Sequence, residues 1–186
     1  MGTERERRAG ERSTPRGRSR TLVAVSTGPL SAAEIEARAA IHDVLMRYAS
    51  GVDRRDFARV AGCFTPDATY QGQLSRRDVA EALRTLRTSL VRYDATMHLM
   101  GNQLIELHGD DRASCETYCL AHHLHRSGKE RRELTVAVVY EDELARAGGA
   151  WLIRQRTART LFVRDTRVAG DSRSAGDPAA APREDA

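Results

Sequence analysis

Lysine is almost missing from this chain: of its 30 basic residues only Lys129 is not an arginine, a bias of genomic base content that bears on no reaction. Cysteine is nearly as scarce. Cys63, Cys115 and Cys119 make an odd, sparse set in 186 residues, which excludes a disulfide framework and fits a reducing, cytoplasmic setting. No apolar run approaches the ~20 residues of a membrane-spanning helix, so no membrane partner is expected. Thr21–Ser26 is a short apolar interruption, too brief for the roughly 7–15 residues of a signal-peptide core. Glu6 stands where an N-myristoylation motif needs Ser or Thr. The folded part also lacks a charge bias. Residues 1–20 carry seven Arg against three Glu, which accounts for the whole net charge of +4. The remainder is neutral, and a basic face for nucleic acid is not expected.

What remains is one domain between two tails. Residues 1–30 mix Arg, Glu, Gly, Ser and Pro with little to bury, and 166–186 are mostly Gly, Ala, Pro and charge, so both read as disordered. Residues 31–165 then form the single domain that this length predicts. Ser31-Ala-Ala-Glu34 is a capping box, and Ile35, Ala39, Ile41, Val44, Leu45 and Tyr48 follow at helical spacing up to Gly51, read as a stop. A second helix fits 54–64, a short strand 68–70 and a third helix 75–90. Beyond Asp94 the period becomes two, over 96–107, 113–124, 134–144 and 151–163, with hairpin chemistry at 108–111 and 147–150. Helices followed by a meander of long strands is an α+β layout. A strongly curved, mostly antiparallel sheet folded over a long first helix would enclose a cone-shaped cavity, a small-molecule site.

The string Ala40-Ile-His-Asp43, Tyr48, Gly51-Val-Asp-Arg-Arg-Asp-Phe57 and Phe64-Thr-Pro-Asp-Ala68 resembles the opening of SnoaL-like proteins of the nuclear transport factor two-like superfamily. Thr96-Met-His98, Asn102, Tyr118–His123, Tyr140-Glu-Asp142 and Gly149-Ala-Trp151 continue the match in order. The resemblance implies an α+β cone barrel over roughly 33–163. The nearest patterns are those of scytalone dehydratase, hexachlorocyclohexane dehydrochlorinase and bile acid 7α-dehydratase, eliminases without a cofactor that pair an Asp with a His. It implies Asp53 and His98 as that pair, Tyr48 and His122 as proton donors, and Tyr70, Asn102 and Arg156 as substrate contacts. It also implies a homo-oligomer, dimer or trimer. The expected activity is a dehydratase-type lyase of secondary metabolism acting on a hydrophobic small molecule. A polyketide-type cyclase, an isomerase and a non-catalytic binding protein are the alternatives. Residues 68–71 lack the carboxylate that ketosteroid isomerases use as base, which argues against that isomerase chemistry.

The chemistry suits these residue types. An elimination needs a base with a pKa near the working pH, which an ordinary His has. A carboxylate on the other ring nitrogen would fix the tautomer and stabilise the imidazolium. An arginine would steady an oxyanion or a departing anion. Plainer roles stand beside these. Asp53 would also serve as the N-cap of the next helix, His98 as a hydrogen-bonded core residue, and Tyr48 as core packing. Arg156 would be an exposed strand residue, with Arg154 and Arg159 as rivals. His122 and His123 point to opposite faces of a strand, so only one enters the cavity, and the resemblance favours His122. Cys115, Cys119, His123 and His125 share one face but stretch over roughly 30 Å, too far for one metal ion, so no metal or other cofactor is expected.

Overall fold

The computed structural model describes residues 28–72 and 75–168; the expected tails otherwise lie outside the described residues. The chain divides into Met1–Leu30 and Ser31–Ala186, and the fold belongs to the second. Helix α1 (Ala32–Asp53) starts where the capping box places it. Ser31 Oγ accepts from the Glu34 backbone N–H at 3.2 Å, and Glu34 Oε2 accepts from the Ser31 N–H at 2.7 Å. Its buried stripe is Ile41, Val44, Leu45, Tyr48 and Val52.

Gly51 does not stop the helix. α1 runs through it to Asp53, and the glycine serves a close approach instead. A Cβ there would lie 2.8 Å from Val60 Cγ2 and 3.2 Å from the Asp56 carbonyl oxygen. Helix α2 (Phe57–Ala61, N-cap Asp56) packs at that spot, so the missing side chain sets how the end of α1 is held. Gly51→Ala is expected to destabilise the fold by about 1–3 kcal/mol. A lower urea midpoint at unchanged slope would show it, and an unmoved midpoint would overturn the packing argument.

The second helix is shorter than its sequence pattern, because Phe64 already belongs to a strand. Strands β1 (Phe64–Gln71) and β2 (Arg76–Asp78) precede helix α3 (Val79–Leu90), whose N-cap is Asp78 and not Ser75. Asp78 Oδ1 accepts from the Glu81 N–H at 2.7 Å. β3 (Ala95–Leu107), β4 (Arg112–Ser127), β5 (Glu130–Ala147) and β6 (Ala150–Arg167) complete the fold. β6 outruns its expected end at Val163 because Arg164–Arg167 keep pairing with Arg132–Thr135 of β5. β2 is a strand that the sequence pattern did not suggest.

The sheet order is β2-β1-β6-β5-β4-β3. Only β1 and β6 run parallel. The sheet is curved but does not close: β2 and β3 remain edges, so the barrel is open along one side. Ile41, Leu45, Val60, Leu144 and Ile153 are fully buried between helices and sheet, each contributing about 1.5–3 kcal/mol. Register shifts interrupt the regular pairing in β3 between Met100 and Gln103 and in β6 opposite Ala137/Val138.

Candidate active site

Asp53 closes α1 and faces β3. Its Oδ1 accepts from the ring Nδ1–H of His98 at 2.7 Å, and its Oδ2 accepts from the His98 backbone N–H at 2.8 Å. One carboxylate thus holds both the main chain and the ring of a residue 45 positions away. An ionised carboxylate only accepts, so Nδ1 carries a proton, and in the neutral ring Nε2 is the atom with the lone pair. The His98 side chain is 6% exposed and that of Asp53 22%. Burial alone would push the Asp53 carboxyl up. Hydrogen bonds from the His98 ring and backbone, with help from Thr96, outweigh it and bring the group below its ordinary value.

The second histidine in this site is His123, and not His122. On β4, His98 pairs with Ala121, so Ala121, His123 and His125 share the inner face while His122 turns outward. His123 meets His98 with ring centroids 5.9 Å apart at 75°. Its Nδ1–H donates to the Leu134 carbonyl at 3.2 Å. Tyr93 covers it, with ring centroids 4.7 Å apart. His122 instead lies on the outer face, its Nδ1 against Glu133 Oε1 at 2.5 Å, with Thr135 donating to the same oxygen. Alternation shows that the two face opposite ways, but not which of them is inside; that depends on the register of β3 against β4.

Burial lowers His123 below the ordinary histidine value near 6.5, and His98 adds to this. The folded protein therefore prefers the neutral ring, while the unfolded chain takes up a proton sooner as pH falls. Stability from this residue is full above the ordinary value and is lost as pH falls through it toward the lower folded value. Between about pH 7 and about pH 5.5 wild type should lose more stability than His123→Gln, measured by urea midpoints. Equal losses would show that His123 is not held neutral.

Tyr48 is buried on α1, edge-on to Phe64 and Tyr140 with centroids 5.9 and 6.0 Å apart. Burial raises its phenol, as it does those of Tyr70 and Tyr140, so all three are neutral. Tyr48, Phe64, Tyr70, Leu83 and Leu86 line a pocket of about 200 Å³. A neighbouring one of about 350 Å³ shares Tyr70, Ala82 and Thr85 with it and adds Arg77 and Thr160. Neither is lined by Asp53 or His98.

Two expected substrate contacts do not line these pockets. Asn102 lies on the outer face in a groove with Leu99, Tyr118 and Phe162. On a regular strand it would share a face with His98; the bulge between Met100 and Gln103 turns it out and brings Gln103 in. Arg156 is buried in the core, not exposed, and is bound to a residue for which the sequence suggested no role. Its Nε and Nη2 donate to Asp142 Oδ1 and Oδ2, both at 2.7 Å, with both side chains 0% exposed. Its Cζ sits 4.1 Å from the Tyr48 ring centroid and 4.3 Å from that of Tyr140. Burial opposes the charge, but the Asp142 carboxylate holds the guanidinium protonated.

Among the described residues no three His, Cys, Asp or Glu side chains gather as a metal site requires. Burial also pushes Cys63 and Cys115 up to about 11 and Cys119 to about 12, which keeps them thiols. No described helix is long and apolar enough to cross a membrane.

The family model of the SnoaL-like domain matches residues 33–157. The chain belongs to that family. An uncharacterized protein of Mycobacterium bovis is 28% identical to this SnoaL-like chain over 137 residues, covering 72% of it and 91% of the relative. Among solved structures, hexachlorocyclohexane dehydrochlorinase type 3 from Novosphingobium barchaimii shares 24% identity at a TM-score of 0.63, over 75% of this chain and 94% of that one. A scytalone dehydratase candidate from Novosphingobium aromaticivorans shares 22% at 0.65, over 74% and 92%. An aromatic ring hydroxylase candidate from the same organism shares 27% at 0.62, over 71% and 94%. At such identities these neighbours establish the fold, which hosts more than one chemistry.

Proposed function

We propose that this SnoaL-like protein is a cofactor-independent lyase of the dehydratase type, acting on a hydrophobic small molecule through Asp53 and His98. The observation that carries the reading is the double hold of one carboxylate on the ring and backbone of His98. It leaves a buried imidazole with one fixed tautomer and Nε2 as its lone basic atom. In the proposed step, Nε2 takes a proton from the carbon beside a carbonyl. The C–H electron pair becomes a C=C bond as the hydroxyl on the next carbon leaves. The imidazolium, stabilised by Asp53, returns the proton to that hydroxyl, and water departs. His123, neutral with its proton on Nδ1, would accept a hydrogen bond at Nε2 from the substrate hydroxyl. The neutral Tyr48 phenol, in the pocket wall, would serve as a further donor. Ring closure by a cyclase, or isomerisation, would use the same proton abstraction.

Incubation in D₂O with a panel of β-hydroxy ketones and related carbon acids, followed by mass spectrometry, tests this. Label uptake or loss of water supports the lyase. The second reading, a binding protein without catalysis, is favoured by the two pockets, which neither Asp53 nor His98 lines. Silence across the panel, with ligands still raising the melting temperature, would favour that reading.

A further inference from the structure

Arg55 is the only non-glycine residue with a positive φ among the described residues, at 59°. It follows Arg54, the C-cap of α1, where the left-handed conformation favours glycine or asparagine over a residue with a long side chain. Its own side chain holds it there. Nη1 donates to the Val52 carbonyl at 2.9 Å and to Thr96 Oγ1 at 2.7 Å, and Nη2 reaches the Tyr93 carbonyl at 3.5 Å. One guanidinium thereby ties the end of α1 to the residues before β3 and to β3 itself.

Thr96 stands two residues before His98 on the same face of β3. Its hydroxyl oxygen accepts from Arg55 Nη1, and the same nitrogen holds the Val52 carbonyl, one residue before Asp53. The residue before the carboxylate is thus fixed against the residue two before the imidazole. Asp53 in turn receives the two N–H groups of His98.

We propose that Arg55 and Thr96 are positioning residues that fix the end of α1, and with it the Asp53 carboxylate, against the His98 ring on β3. The proposal rests on Asp53–His98 as the reacting pair. Without the Thr96 hydroxyl the guanidinium loses its side-chain acceptor on β3, and Asp53 is freer to shift away from Nδ1–H. Without the Arg55 guanidinium the end of α1 loses this tie altogether.

Thr96→Val keeps the shape and removes the acceptor of the Arg55 guanidinium, whereas Thr96→Ser keeps it. Arg55→Gly suits the positive φ, so it folds, yet removes the guanidinium. Thr96→Val and Arg55→Gly are expected to lower kcat of the His98-dependent exchange about tenfold with KM little changed, and Thr96→Ser to restore it. The deciding readout needs no substrate: the downfield proton NMR signal of His98 Nδ1–H. In Thr96→Val and Arg55→Gly this signal should move upfield and exchange faster with water, and in Thr96→Ser return to its wild-type position. An unmoved signal in both variants overturns the proposal, whatever the activity does. A moved signal in a protein that turns over no carbon acid supports the positioning role and removes the lyase reading alone.

Discussion

His98→Ala is expected to lower deuterium uptake and loss of water by about a thousandfold while the protein stays folded. The size follows from what is removed. A positioned general base contributes about 10²–10⁴ in rate, and here base and tautomer control sit in one ring. The Asp53 carboxylate would keep the His98 backbone N–H at 2.8 Å, so the end of α1 remains tied to β3 in the variant. His98→Gln is the stricter partner experiment, since an amide replaces the ring donor to Asp53 and supplies no basic nitrogen. Both should be inactive and both should melt near wild type. An active His98→Ala protein would sink the lyase reading and leave His98 a buried histidine with a satisfied ring. His122→Ala is a useful control: its side chain lies on the outer face with Glu133, so turnover should be untouched.

The pair itself was legible in the sequence only through the ordered resemblance, because nothing local joins residues 53 and 98. The α+β order was legible from physics: a capping box opens α1, and period-two patterning marks four long strands. What could not be read were properties of register. His123 replaces His122 inside because His98 pairs with Ala121, a choice between two parities that one strand's pattern does not make. Asn102 is lost from the cavity through a two-residue irregularity with no proline or charge to announce it beyond Gly101 itself. Gly51 read as a helix stop because glycine usually punctuates, whereas here it makes room for Val60. Thr96 and Arg55 lie within the matching strings, but nothing there gave them a role: one looks like an ordinary strand residue, the other like one more arginine in an arginine-rich chain. Asp142 did carry a signal that went unused. It sits in step with Val138, Tyr140 and Leu144 on an apolar face, where a lone charge demands a partner.

That partner is Arg156, and the second large effect is expected here. Arg156→Met leaves Asp142 buried with no counter-ion, and Asp142→Asn leaves the guanidinium charged between tyrosine rings. Breaking a buried pair by removing one member costs about 3–5 kcal/mol, because the survivor stays desolvated. In a domain of this size that lowers the melting temperature by roughly 10–20 °C. Replacing both together, as Arg156→Met with Asp142→Leu, should recover most of the loss, since neither charge is then left to bury. A double-mutant cycle on urea midpoints measures this as a large coupling between the two positions. The outcome also separates two roles for Arg156. Were it the substrate contact that the resemblance implied, Arg156→Met would lose turnover with little loss of stability, and the double replacement would rescue nothing. Full burial and two 2.7 Å bonds to Asp142 predict the reverse order: stability falls first, and the fold returns when both charges go. Cation–π contact with Tyr48 then makes the arginine a brace for the wall of the pocket, which the uncharged double variant would hold less firmly.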